Sequence, residues 1–192
     1  MNDPTAMVAE IWQQARQHPL LKQKSVICIS TIDSDGFPDA RFVDLKQVNS
    51  QGFTICSGYQ SDKGRAIAAC DKVALTAWWE PVGYQIRIQG RATKISDALA
   101  QQYWQSRNHS AQVISSRFQQ SEPCVSIDTV KQQFLDAQAL LHDKSIPRPK
   151  SWGGYCVEPK RIELLKFEDS RLHLRHNFTK LSDQWQCQIL QP

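Results

Sequence analysis

Alternation of apolar and polar residues runs through the first half of the chain and predicts strands. It is clearest in SVICIST (25–31), ARFVDLKQV (40–48), GFTICS (52–57), VALTAWW (73–79) and YQIRIQGRATKI (84–95), whose period of two suits half-buried strands. DSDG, NSQG, a short helical piece after Ser61, and EPVG separate these runs. Three of the breaks are hairpin-type turns, so the predicted sheet is antiparallel. Asp3 followed by Pro4 marks a helix start, and Ala6, Val8, Ile11 and Trp12 supply its apolar stripe up to about Gln17. Further helices are predicted from Ser96 to about Arg107 and from about Ile127 to His142. PRPKSWGG (147–154) reads as a stiff loop, and strands at 161–167, 171–175 and 184–190 finish the chain. With no repeat and no low-complexity linker, the pattern predicts one domain over 1–192. Its class is α+β, a closed or nearly closed antiparallel β-barrel with helices packed outside.

One late stretch carries more than packing. In SRLHLRHNF (170–178), Arg171, His173 and Arg175 alternate with Leu172 and Leu174. An extended strand would put the three basic groups ~6–7 Å apart on one face and the leucines in the core. Read alone, such a stripe is a solvated edge with incidental charge.

Composition narrows the field. At 41% hydrophobic and 22% charged, the 192 residues are ordinary globular material. The formal net charge of +4 fits a small anionic ligand, and no dense Lys/Arg block argues for nucleic acid. Six cysteines (28, 56, 70, 124, 156, 187) show no C-x-x-C and no Cys/His metal spacing. They read as reduced cytoplasmic thiols, mostly buried, and predict no metal site. No apolar run approaches the ~20 residues of a membrane span, and Met1-Asn2-Asp3-Pro4 does not open like a signal peptide.

Several polar groups could hold an anion. Alternation places Arg41, Val43 and Leu45 on one strand face, and Phe42, Asp44 and Lys46 on the other. SDKGRA (61–66) offers a Ser cap, Lys63 and the free N–H groups of a helix start, a combination that suits a phosphate and equally suits simple capping. Gln85 could read the edge of a heterocycle or sit at a barrel rim. Tyr103 and Arg107 are spaced i, i+4, as in a surface aromatic–cation pair. Gln120 and Ser121 close the region with two neutral hydrogen-bonding groups.

Taken in order, R-x-x-x-x-K, S-x-K-G, Q-I-R-I-x-G, Y-x-x-x-R, Q-S, W-G-G-Y and R-L-H-x-R resemble the pyridoxamine/pyridoxine 5'-phosphate oxidase family, from about Ser25 to Pro192. The resemblance implies an FMN-binding split barrel, a homodimer with its two FMN sites built across the subunit interface. It implies that Arg41 and Lys63 hold the FMN phosphate. Cys56 (through its backbone), Ser57, Gln85, Gln120 and Ser121 would bond the ribityl chain or ring edge, and Arg175 would reach the isoalloxazine. Lys46 falls in both the cofactor and the substrate set. With Tyr103 and Arg107 it matches the residues that grip the phosphate of a vitamin B6 substrate, while Arg171 and His173 match the catalytic pair over its pyridine ring. The implied activity is oxidation of pyridoxamine or pyridoxine 5'-phosphate to pyridoxal 5'-phosphate with O2 as acceptor.

The sequence departs from that pattern in places. Asp62 stands where a second basic residue is usual, which predicts weakened FMN binding that Asp62→Arg would tighten. Leu165 replaces a tryptophan near the flavin, and Cys56 a tyrosine. Ala111 replaces a substrate-phosphate serine, for which the adjacent Ser110 would substitute. An N-terminal arm that closes over the substrate in typical members is not expected here. Two other readings stay open. One is an FMN oxidase of another reduced aromatic ring, as in phenazine formation, against which Lys46 and Arg107 argue. The other is a non-catalytic flavin- or B6-phosphate-binding protein.

Overall fold

The computed structural model describes residues 3–192. Met1 and Asn2, which open the stretch read as lacking a signal-peptide pattern, lie outside them. The chain runs α1 (Pro4–Gln17), β1 (Val26–Ile32), β2 (Pro38–Asn49), β3 (Gly52–Gly58), α2 (Asp62–Ala69), β4 (Lys72–Trp79) and β5 (Tyr84–Lys94). There follow α3 (Asp97–Gln105), α4 (His109–Arg117), α5 (Ile127–Leu141), β6 (Trp152–Lys166), β7 (Leu174–Leu181) and β8 (Gln184–Leu190).

Neighbouring strands follow the order β3-β2-β1-β4-β5-β6-β7-β8, and β6 also pairs with β3, which closes β1 to β6 into a barrel. All pairings are antiparallel. The long β6 makes this possible by dividing its outer edge. Trp152–Val157 pairs with β3, Arg161–Lys166 pairs with β7, and β5 runs along the opposite edge from Tyr155 to Lys166. A register shift at Gln89/Gly90 bends the sheet between the two halves. The result is a split barrel, α+β as the alternation predicts. Ile27, Ile29, Leu45, Phe53, Ile55, Leu75, Ile86 and Ile88 fill its interior from alternate positions. α1 joins that core through Val8, Ile11, Trp12 and Ala15, with Asp3 accepting from the Thr5 N–H at its start.

A second, smaller core of Trp104, Val113, Ile146 and Trp152 lies under α3 and α4. Trp104 Nε1 donates to the Ile146 carbonyl at 2.7 Å, and its ring meets Trp152 edge to face at 5.0 Å.

Three expectations need correction. Trp152–Gly154 is not loop: it opens β6, and the glycines belong there because a Cβ on Gly153 would run into the Tyr59 ring. β7 begins at Leu174, so only Leu174 and Arg175 of the expected strand 171–175 are strand, and 171–173 are not. Arg171 adopts φ 64 in a turn, and its N–H donates to the Glu168 carbonyl at 3.0 Å. Leu172 and Leu174 are correspondingly exposed rather than core. Nor are the thiols deeply buried. Cys28, Cys56, Cys70, Cys156 and Cys187 are half-buried, Cys124 is exposed, and all six are free. Among the described residues no helix is long and apolar enough to cross a membrane.

Candidate active site

An open cleft of about 1000 Å³ lies between β2, the end of β3, the start of α2 and the last turn of α4. Five basic side chains line it, Arg41, Lys46, Lys63, Arg65 and Arg107, against two carboxylates, Asp44 and Glu122. Strand alternation and the order of elements bring them together. Arg41 faces inward with Val43 and Leu45, while Lys46 lies outward at a register shift between Leu45 and Gln47.

The deepest cation is Lys63, only 7% exposed. Ser61 caps α2 by accepting from the Gly64 N–H at 3.3 Å. Gly64 lets the helix sit hard on the end of β3, since a Cβ there would meet the Tyr59 and Gly58 carbonyls. The Lys63 ammonium therefore points inward and donates to Ser61 Oγ at 3.3 Å; Ser57 Oγ lies 3.4 Å from that hydroxyl. Burial, and next the nearby Arg41, push the Lys63 pKa below its ordinary value. Arg41 donates to Thr31 Oγ1 at 2.7 Å and pairs with Asp39. A buried ammonium whose hydrogen-bond partner is a hydroxyl is a costly group, and an anion in the cleft would relieve it.

At the other end Arg107 lies against the Trp152 ring, its guanidinium carbon 4.8 Å from the centroid. It sits just past the end of α3, not within the helix with Tyr103. Its Nη2 donates to the Ala111 carbonyl and to Ser115 Oγ at 3.1 Å, while its buried Nε has no partner among the described residues. Lys46 pairs with Asp44 at 3.3 Å on the rim. Cys56 lines the floor, its thiol pushed up to about 11 by burial despite Lys46 and Arg107. Gln120 also lines the cleft. Ser121 sits beside it, accepting from the Asp62 N–H at 3.2 Å. Tyr103 does not line it; its hydroxyl donates to Gln47 Oε1 at 3.3 Å. Ser110 is likewise outside, accepting from Gln138 Nε2 at 3.0 Å, so the hydroxyl beside Arg107 is that of Ser115.

The remaining sequence-selected residues form a second surface on the outside of the barrel. Trp78, Gln85, Leu165 and Arg175 make one lateral row across β4, β5, β6 and β7, hence share a face. Arg175 is held by Glu163, whose Oε1 accepts from Nε at 3.0 Å and Nη2 at 2.8 Å; Arg87 Nη1 reaches Oε2 at 3.0 Å. Phe167 packs edge-on to Trp78 at 4.4 Å and contacts the His173 ring at 4.7 Å. Glu168 N–H donates to His173 Nδ1 at 3.2 Å, so the neutral ring carries its proton on Nε2. Arg171 is exposed beside it. None of these residues lines the cleft of the same chain.

Arg65, Ser115, Glu122, Glu163 and the Trp78–Phe167 pair escape sequence reasoning. Only Glu163 left a usable trace, a lone acid in the otherwise apolar strand run IELL. Asp62, expected to face the anion site, is instead ion-paired with Arg65 at 2.6 Å.

Known proteins resemble this chain along nearly its whole length. Residues 14–134 match the model of the family described as pyridoxamine 5'-phosphate oxidase, and residues 152–192 match that of the pyridoxine 5'-phosphate oxidase C-terminal dimerisation region. A pyridoxine/pyridoxamine 5'-phosphate oxidase of Myxococcus xanthus is 33% identical over 99% of this chain and 92% of its own. One from Idiomarina loihiensis is 35% identical over 99% and 90%. PhzG of Burkholderia lata, solved with tetrahydrophenazine-1-carboxylic acid, shares the fold at TM-score 0.92 and 23% identity, over 100% of this chain and 94% of its own. A pyridoxamine 5'-phosphate oxidase-related, FMN-binding protein of Nostoc punctiforme does so at TM-score 0.80 and 13% identity, over the whole of both chains. The chain thus belongs to the pyridoxamine 5'-phosphate oxidase family, a family of oxidoreductases.

Proposed function

We propose that this protein is an FMN-dependent oxidase that converts pyridoxamine or pyridoxine 5'-phosphate to pyridoxal 5'-phosphate, with O2 as acceptor. It acts as a one-domain, cytoplasmic homodimer. The observation that carries the reading is the buried Lys63 ammonium, bonded to a hydroxyl and flanked by Arg41, Ser57 and Ser61 at the head of a cationic cleft. That donor set fits the phosphate of a flavin mononucleotide, which when bound supplies the hydride acceptor.

The chain's own residues then bind, orient and handle protons. Arg41 and Lys63 hold the cofactor phosphate, and Ser57, Gln120 and Ser121, with the backbone at Cys56, follow its ribityl chain. Lys46 and Arg107 grip the substrate phosphate, with Ser115 in the role assigned by sequence to Ser110, and Tyr103 packs behind them. Gln85, Arg171, His173 and Arg175 lie outside this cleft, so a second copy must bring them to it. The dimerisation match over residues 152–192, which includes three of the four, supports that arrangement. Arg175 addresses the flavin ring, Arg171 covers the pyridine, and His173 Nε2–H donates to the ring's substituents and can return a proton.

Kinetics of the flavin-loaded protein test the substrate class. Two cations on one phosphate predict a preference for pyridoxamine 5'-phosphate over pyridoxamine of at least ~10²-fold in kcat/KM. Lys46→Met should erode that preference mainly through KM. Equal turnover of both compounds, or turnover only of a reduced unphosphorylated ring of the phenazine type, would refute the assignment.

A further inference from the structure

The sequence pattern leaves the anion site one cation short, with Asp62 where a basic residue was expected. The structure supplies a cation from one helical turn further along. Arg65 lines the cleft with Lys63 and Arg41, and it is the hub of a small ion network. Its Nη2 donates to Asp62 Oδ1 at 2.6 Å, and its Nη1 donates to Glu122 Oε1 at 3.0 Å and to the Gln60 carbonyl at 2.6 Å. The second of these bonds spans two elements. Asp62 belongs to the first turn of α2, whereas Glu122 ends the turn 119–122 that carries Gln120 and Ser121. A parallel link, Asp62 N–H to Ser121 Oγ at 3.2 Å, ties the same turn to the same helix. Ser121 itself sits at φ 78, a conformation that a non-glycine residue adopts only when held there.

We infer that Arg65 is a positioning residue of the anion site. It neutralises Glu122, which lines the cleft, and Asp62 beside it, and it ties the Gln120–Ser121 turn to the phosphate-binding helix. This rests on the reading of the cleft as a flavin-phosphate site. Without Arg65, an incoming dianion would meet an uncompensated Glu122 with the charge of Asp62 close behind it, and the turn would keep a single hydrogen bond to α2. The Arg65, Asp62 and Glu122 side chains are each about half exposed (48%, 62% and 45%). Such pairs contribute little to folding, so their removal should act on binding far more than on stability.

The test is titration of the apo-dimer with FMN, followed by quenching of flavin fluorescence, for wild type, Arg65→Met and the triple variant Asp62→Asn/Arg65→Met/Glu122→Gln. Arg65→Met should weaken FMN binding at least about tenfold at low salt, with a smaller effect at high salt, and should unfold within about 2 °C of wild type. The triple variant should recover at least half of the lost affinity on a logarithmic scale, because the charges that Arg65 offsets are gone. Arg65→Met binding FMN within twofold of wild type overturns the inference while leaving the flavin reading intact. A triple variant as weak as the single one also overturns it, since offsetting the charges of Asp62 and Glu122 would then not be what Arg65 contributes. If wild type takes up no FMN while remaining folded and dimeric, the flavin reading fails and this inference fails with it.

Discussion

Glu163→Gln keeps the shape of a side chain that is only 8% exposed and removes its charge. In the sheet Glu163 is directly opposite Arg87 and diagonal to Arg175, so one carboxylate serves two guanidiniums from flanking strands. Removing one partner of a buried charge pair costs about 3–5 kcal/mol, but the Arg87 side chain is 53% exposed and its share is screened to a few tenths. Arg175, 24% exposed and bonded through two nitrogens, carries most of the effect. Because Arg175, the charge left without its partner, keeps about a quarter of its side chain in water, the cost falls below that range to about 2 kcal/mol, which for a chain of this size lowers Tm by about 4–8 °C. Thermal unfolding followed by circular dichroism, at one fixed protein concentration because a dimer's Tm depends on it, reads this directly. A double-mutant cycle with Arg175→Gln should return a coupling of about 1–2 kcal/mol, and the cycle with Arg87→Gln less than half of that. Since Arg175 is the residue assigned to the flavin ring, Glu163→Gln should also shed FMN faster on dilution. A Tm within 1 °C of wild type, or equal couplings to the two arginines, would refute the reasoning.

Three further outcomes follow from the same geometry. FMN affinity should fall as pH rises through the depressed pKa of free Lys63, up to about tenfold per pH unit and starting below the ordinary 10.5. The unliganded fold should gain stability across that window, because the unfolded chain keeps the proton longer; Lys63→Arg should flatten both curves. Gly153→Ala should cost more than about 2 kcal/mol in denaturant unfolding, because its Cβ meets the Tyr59 ring at the β3–β6 closure. Arg171→Leu should keep flavin yet lose at least ~10²-fold in kcat/KM, about 2.7 kcal/mol, whereas Arg175→Leu should lose flavin. Equal flavin loss in the two would contradict their separate roles.

Much of the barrel was legible because β1, β2, β4 and β5 follow the pattern of two, which survives even where Lys46 sits at a register shift, while β3 is buried almost throughout. β6 was half hidden because its first residues are Trp-Gly-Gly after two prolines. Such composition reads as loop unless one knows that Tyr59 and Ile55 approach too closely for a side chain. The RLHLR stripe failed for the opposite reason. Alternation over five residues also fits an exposed turn, and the left-handed backbone at Arg171 leaves no mark in composition. α4 went unseen because it buries only Val113. At the site, the groups on successive local motifs, Arg41, Ser57 and Lys63, could be selected from sequence and do converge. The ion networks could not, since Arg65 meets Glu122 across 57 positions and Arg87 meets Glu163 across 76, distances over which one sequence carries no pairing signal.

The central claim is that this cationic split barrel oxidises a phosphorylated B6 vitamer at a bound flavin. Anaerobic mixing of the FMN-loaded protein with pyridoxamine 5'-phosphate tests it most directly. The account predicts that the yellow flavin absorbance bleaches in a single turnover, that pyridoxal 5'-phosphate appears in equal amount, and that colour returns on admitting O2. A flavin that binds tightly yet stays oxidised under saturating pyridoxamine and pyridoxine 5'-phosphate would contradict it.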